Sequence, residues 1–276
     1  MGRKGHGRYG KHSRRDRRKK KGGIISTVIL IVAICVFAFS AFQLYKIFNG
    51  YHKGESEYDD LVKLAVTEDK GEQENGTDDQ DGSRFSVDFD ALRQINPDVV
   101  AWIRFDEPAV INYPVVQGSD NSEYLSKTFK GYDNTVGTIF VNAYNHADFN
   151  DRNTIIYGHY MYNGTMFNEL EQYHEKSFWE KYPSFYIYTP DGNVATYQIY
   201  SVGVVKDTSE GYTYQFADDA AFASFLEATK ASSLYDTGVE VGNDSQIVTL
   251  STCTREENDD RTIVHGVRVN VQPAGE

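Results

Sequence analysis

Cysteine is almost absent from this chain of 276 residues: there are two, Cys35 and Cys253. Cys35 lies inside a long apolar run and Cys253 far beyond it, so no disulfide framework holds the folded part together. Basic residues are scarce once the first segment is passed. Eleven of the 28 Lys and Arg fall between Arg3 and Lys21, where Asp16 is the only acid; the remainder carries 17 basic against 39 acidic residues, a net of −22. So acidic a body excludes nucleic-acid binding, which needs a basic face. Metal-ligand spacings such as H-x-x-x-H or C-x-x-C are missing. His146, Asp148, Asp151 and His159 could meet only through the tertiary fold, so neither a metal nor another cofactor is expected. There is no internal repeat.

Only one stretch is long and apolar. Ile24 to Tyr45 has no charge and, at helical rise, spans about 33 Å, enough for a bilayer core. No small-x-small cleavage site follows it. The basic segment before it sets the expected orientation, with the N-terminus cytoplasmic and the rest outside. Four regions follow: a basic cytoplasmic tail over 1–23, a transmembrane helix over 24–45, a flexible stalk over 46–83, and a globular domain over 84–276. Within the stalk, Tyr58 to Val66 has some helical amphipathicity, whereas Lys70 to Ser83 almost lacks apolar residues.

The globular part reads as many short strands with a few helices. Asp88 or Asp90 can cap a helix ending near Asn96. Strands are expected over 99–105, 110–116, 137–141 and 154–157, and a helix over 164–179. A hairpin turns at Asp191-Gly192. Phe222, Phe225 and Leu226 mark one face of a helix over 218–231. The expected class is mainly β: a closed or nearly closed β-barrel of short strands with peripheral helices, including an N-terminal helical segment and a helix before the last two strands.

The chemistry concentrates at those last two strands. Ile247-Val248-Thr249-Leu250 reads as a buried strand with Cys253 at its end. Alternation places Thr249, Ser251 and Cys253 on one face. A polar loop, 254–260, leads to Arg261, where the next strand begins, so the guanidinium can lie beside the thiol. A lone cysteine is ordinarily a small buried hydrophobe; one at a strand end, among hydroxyls and beside a charged loop, fits that role poorly. A free thiol titrates near 8.5 and needs a base or cationic neighbour to act at neutral pH. Four histidines are available in the folded part. His146 falls in a polar loop, His174 in a charged stretch expected at the surface, and His265 inside a strand. His159 ends an apolar strand and shares a face with Tyr157.

These segments resemble a known family. Thr249-Leu250-Ser251-Thr252-Cys253, Arg261 eight residues on and Val264-His265-Gly266 are similar to the active-site signature of sortases, of class B in particular. So are Arg93-Gln94-Ile95-Asn96-Pro97-Asp98-Val99-Val100-Ala101-Trp102-Ile103, Asn112-Tyr113-Pro114-Val115-Val116-Gln117-Gly118, Asn153-Thr154-Ile155-Ile156-Tyr157-Gly158-His159 and Ser233-Leu234-Tyr235-Asp236-Thr237-Gly238. The likeness covers roughly residues 85 to 271, and ordered motifs across a whole domain are far more specific than any one of them.

The resemblance implies a membrane-anchored cysteine transpeptidase of a Gram-positive surface. Cys253 attacks a Thr-X bond of a sorting-signal peptide, His159 serves as acid and base, and Arg261 holds the peptide or stabilises the oxyanion. An amine of a peptidoglycan precursor resolves the thioester. Asn121, Leu125, Tyr157 and Ser251 match positions that line the substrate groove; ordinary loop or strand packing is the competing account of each. Two rivals stand beside this reading: a cysteine peptidase, in which water replaces the amine, and a non-catalytic surface-binding domain. The second has no need of Cys253, His159 and Arg261 together.

Overall fold

The computed structural model describes residues 2, 5, 16–68, 85–106, 108, 111–254 and 259–275. Expectations for residues 6–15, 69–84 and 255–258 fall outside the described residues. The chain divides into two units, Met1–Asn49 and Gly50–Glu276. In the first, helix α1 (Asp16–Ala65) carries the apolar run, exposed from Ile24 to Tyr45. The helix is long and apolar enough to cross a membrane.

The second unit begins well before residue 84. From Gly50 onward α1 presents one face at helical spacing, Gly54, Glu57, Tyr58, Leu61 and Ala65, all buried. Tyr58, Leu61 and Ala65 join the main apolar core. Strand β1 (Val66–Glu68) then pairs antiparallel with β2 (Phe85–Val87). Part of the expected stalk, 50–68, is therefore a packed element of the domain. Its apolar positions are few and widely spaced, which is how a helix that buries a single narrow stripe looks in sequence.

Helix α2 (Phe89–Ile95) starts where Asp88 Oδ1 accepts a bond from Ala91 N at 2.9 Å. Next come β3 (Val99–Arg104), β4 (Asn112–Val116), β5 (Ile139–Val141) and β6 (Asn153–Tyr157). The helix expected over 164–179 is broken. Gly164 and Met166 take φ of +86° and +58°, left-handed values that a helix cannot continue through, and Met166 N is bonded to Tyr113 Oη. The helical turns begin only at Asn168, as a 3₁₀ segment to His174 followed by α3 (Lys176–Trp179). The hairpin β7 (Ser184–Tyr188) and β8 (Asn193–Lys206) turns at Gly192, with φ +84°. Helix α4 (Asp219–Ala231) is capped by Asp218 and buries Phe222, Phe225 and Leu226. The chain closes with β9 (Ile247–Cys253) and β10 (Asp260–Pro273).

Eight strands form the closed barrel, in the order β10-β8-β7-β3-β4-β5-β6-β9. Inside it, Phe105, Phe185 and Tyr197 stack at 5.0 and 5.2 Å. Gly266 of β10 lies under Phe185, whose ring would be 2.5 Å from an added Cβ. The pairings that matter most for function are those of β9. It runs parallel to β6, with Tyr157 opposite Ser251, and antiparallel to β10, with Arg261 opposite Cys253.

His265 is a core residue. It is 1% exposed, and its Nδ1 lies 2.9 Å from Thr249 Oγ1, which donates to Asn153 Oδ1 at 2.7 Å. The hydroxyl proton is thus spent on Asn153, and the imidazole donates through Nδ1–H. Burial pushes the His265 imidazole down to about 3 from its ordinary 6.5. Unfolding lets it take a proton, so below pH 6.5 the unfolded chain binds more protons than the folded one. Stability from this group should be complete above pH 6.5 and fall as pH drops toward 3, by about 2 kcal/mol at pH 5. Urea unfolding at pH 7 and pH 5 reads this. The loss should be smaller in His265→Gln; an equal loss in that variant would assign the pH dependence elsewhere.

Candidate active site

Every residue of β9 is buried from Ile247 to Thr252, and Cys253 is exposed. The thiol therefore stands at the mouth of a rigid strand bonded on both sides. The packed-hydrophobe account of this cysteine does not describe it. Because β6 runs parallel to β9, the two strands end at the same rim. Gly158 N continues the ladder onto Ser251 O at 3.1 Å, and His159 follows. Because β10 runs antiparallel, it begins where β9 ends, and Arg261 pairs directly with Cys253. Directly paired residues project from the same face, with Cβ atoms about 5 Å apart.

A groove of ≈ 330 Å³ runs over this rim. All seven residues singled out in the sequence line it: Asn121, Leu125, Tyr157, His159, Ser251, Cys253 and Arg261. The structure also adds Phe140, Asp207, Tyr212 and Thr252. Phe140 sits in an all-apolar strand, where nothing distinguishes a groove residue from a core one. Tyr212 comes from the connection between β8 and α4, whose position over the rim has no local signature.

His159 is seated on a loop. Its Nε2 lies 2.6 Å from the Leu125 carbonyl, which can only accept, so Nε2 carries the proton. Nδ1 is left as the nitrogen able to exchange one. The adjacent ring carbon lies against Gly137, where an added Cβ would be 2.9 Å from His159 Cδ2. Gly137 also has φ +62°, so glycine is required there twice over. Leu125 thus contributes a carbonyl to the histidine and an exposed side chain to the groove.

Arg261 is held at both ends of its fork. Nη1 donates to Asp260 O at 3.0 Å, and Nη2 lies 3.5 Å from Asp207 Oδ2. Ser251 Oγ and Tyr212 Oη are 2.7 Å apart. Tyr212 in turn stacks on Tyr157, with centroids 6.4 Å apart and planes 11° from parallel. Burial pushes both phenols up to about 12, so they remain neutral hydrogen-bonding groups at working pH. Asn121 differs from the rest. Its Oδ1 accepts from Ala143 N at 2.7 Å and its Nδ2 donates to Asn142 Oδ1 at 2.8 Å. The carboxamide fastens two loops that form the groove wall.

The other histidines are elsewhere. His146 is exposed and pairs with Asp151 at 2.7 Å, which raises its imidazole above the ordinary value. His174, expected at the surface, is half-buried, with Nε2 2.9 Å from Thr262 Oγ1; the 3₁₀ segment turns it inward onto β10. Among the described residues, no three His, Cys, Asp or Glu side chains converge as a metal site.

Comparison with known proteins agrees with this geometry. Residues 106–269 match the family model of the sortase domain. Sortase B of Listeria monocytogenes is 30% identical over 233 residues, covering 83% of this chain and 90% of that protein. Sortase B of Staphylococcus aureus is 35% identical over 167 residues, 60% of this chain and 67% of its own. Among solved structures, sortase B from B. anthracis in complex with AAEK1 superposes with a TM-score of 0.67 at 30% identity, covering 81% of this chain and all of that one. The Staphylococcus aureus sortase B–substrate complex gives 0.62 at 32% identity, covering 66% and 84%. A closed barrel carrying a cysteine, a histidine and an arginine on one rim defines a cysteine transpeptidase of the sortase type. The chain belongs to the sortase family, and its structural neighbours are class B sortases.

Proposed function

We propose that this protein joins a surface polypeptide to an amine of a peptidoglycan precursor through a thioester on Cys253. The observation that carries the reading is the rim itself: an exposed thiol at the end of a buried strand, paired across the ladder with Arg261 and flanked through the parallel ladder by His159. Cys253 Sγ, as thiolate, attacks the carbonyl carbon of a Thr-X bond. The carbonyl π electrons move onto oxygen, and the Arg261 guanidinium, an aimed multi-donor cation, stabilises that oxyanion. As the tetrahedral centre collapses, the C–N bond breaks and protonated His159 gives the departing amine its Nδ1 proton. Nδ1 then takes a proton from the incoming amine, whose nitrogen displaces sulfur and restores the thiolate. The Leu125 carbonyl keeps Nε2 protonated in both states of this cycle. Asn121, Leu125, Tyr157 and Ser251 form the wall against which the sorting-signal peptide lies.

Relatives support both substrates. One structure is a sortase B–substrate complex and another is sortase B complexed with triglycine; a glycine peptide presents a free amino group of the kind the second half-reaction needs. The apolar helix supports an anchor across the cell membrane over 24–45, with the basic tail of residues 1–23 cytoplasmic and the catalytic domain outside.

Two experiments test the chemistry. Full-length protein in detergent, incubated with a library of sorting-signal peptides and a glycine amine, should yield the ligated product by mass spectrometry. Cys253→Ala should abolish it with circular dichroism unchanged, and Cys253→Ser should be nearly inactive, because a hydroxyl is far harder to ionise. Ligation by Cys253→Ala would remove the thioester. Arg261→Lys separates charge from geometry. It keeps a cation opposite Cys253 but loses the fork, and acylation should slow roughly a hundredfold, as on removing an oxyanion-hole donor. Near-normal turnover would reduce Arg261 to a point charge. For the anchor, protease added to intact protoplasts should digest the barrel and spare the first 23 residues; a protected barrel would reverse the orientation.

A further inference from the structure

Helix α1 and the seat of His159 are connected. The ring of His159 rests on two points of one loop, the Leu125 carbonyl at its start and Gly137 at its end. Those points are tied to each other, since Thr138 N donates to Tyr124 O at 3.0 Å. The loop between them is held along its length by one face of α1. Gly50 O accepts from Asn134 Nδ2 at 3.0 Å. Glu57 Oε1 accepts from Lys130 N at 2.8 Å. Gly54 lies so close to Val136 that an added Cβ would be 2.8 Å from its Cγ2. Tyr58 Oη donates to Gly137 O at 2.5 Å and lies 3.1 Å from Thr138 Oγ1.

We propose that residues 50–65 of α1 are a working part of the active site, and that Tyr58 is a positioning residue for His159, acting through Gly137. The Tyr58 hydroxyl fixes the carbonyl of Gly137, the residue against which the imidazole lies, and Glu57 fixes the middle of the same loop. Tyr58 is 4% exposed, and burial holds its phenol far above the ordinary value, so it is a permanent donor. Its ring packs edge-on against Tyr113 at 5.4 Å, a contact that survives loss of the hydroxyl. The geometry of an acid–base group decides rate more steeply than binding: a misplacement of about 1 Å costs up to about a hundredfold. The effect of Tyr58 should therefore fall on kcat and leave KM nearly unchanged.

The inference rests on His159 being the acid–base group, and the experiment separates the two claims. Full-length Tyr58→Phe, Glu57→Ala and His159→Ala are compared in the ligation assay, and ¹⁵N-histidine NMR follows the His159 imidazole, whose shifts distinguish Nε2–H from Nδ1–H. Tyr58→Phe and Glu57→Ala should each lower kcat about tenfold or more, with KM within twofold. The His159 signal should move from the pure Nε2–H form to a mixture, as a structural role remote from the ring would not do. If His159→Ala keeps its rate, the acid–base reading falls. If His159→Ala is inactive while Tyr58→Phe and Glu57→Ala keep kcat within twofold, or lose it with the His159 signal unmoved, the positioning claim falls and the acid–base reading stands. Loss of the barrel's circular dichroism in both variants would make the segment a folding element only, and would equally overturn the proposal.

Discussion

The parallel pairing of β6 with β9 is the constraint on which the site depends. Parallel neighbours end at the same edge of a sheet, and antiparallel neighbours begin where their partner ends. With Tyr157 opposite Ser251 and Arg261 opposite Cys253, three adjacent strands deliver His159, Cys253 and Arg261 to one rim, about one strand spacing apart. A slip of one residue in either ladder would turn the thiol to the opposite face of the sheet. The register is fixed by what lies below the rim. Asn153, Thr249 and His265 form a hydrogen-bonded row across β6, β9 and β10, and such a row tolerates only one alignment of the three strands. The neutral, buried His265 therefore belongs to the site's foundations, although it touches no groove residue of the reaction.

The same arrangement sets the electrostatics. Arg261 and Asp207 are the fully charged side chains among the described residues lining the groove, in a body that carries a large excess of acid. Local placement of one cation opposite the thiol outweighs that global excess, since interactions between exposed charges fade beyond about 10 Å at ordinary ionic strength. Asp207 and the Asp260 carbonyl aim the guanidinium while leaving it on the groove wall. Tyr157 and Tyr212, kept neutral by burial, add shape and hydrogen-bonding capacity without adding charge that would oppose the arginine.

Period-two patterning made β9 and the start of β10 legible, and with them Cys253 and Arg261, because alternation along a strand is local. His159 was legible as the residue ending an apolar strand, and the family likeness selected it among four histidines. The barrel followed from counting strands and turns. What was illegible depended on contacts distant in sequence. Tyr212 reaches the groove only because the β8–α4 connection crosses the rim. His174 turns inward because left-handed residues at Gly164 and Met166 delay the helix by several positions. The packed face of residues 50–65 is hard to read in sequence for a related reason. A helix that lies on a domain with one narrow stripe needs few apolar residues, and between Gly50 and Ala65 glycine and glutamate fill two of the buried places. Gly54 reads as a helix breaker in isolation, yet its missing side chain is what lets the helix approach Val136.

In the reaction proposed for this site, the nucleophile and the base are held by different means. Cys253 ends a strand bonded on both sides and buried up to its last residue, so its position is as firm as the barrel. His159 lies beyond the last ladder bond of β6 and rests on a loop held by its own backbone bonds and by one face of α1. Local stability in a protein varies from element to element, and loops held by few bonds open at lower cost than core strands. Of the two, the proposed base is therefore the one seated on a loop and not on a barrel strand. A transpeptidase needs such an asymmetry. If Cys253 carries the acyl group as proposed, its sulfur must stay fixed through both half-reactions. In that proposal the imidazole serves first a departing amine and then an incoming one, and these need not approach along the same line. The seat itself is one carbonyl and one glycine, which holds Nε2 protonated and leaves Nδ1 as the nitrogen able to exchange a proton.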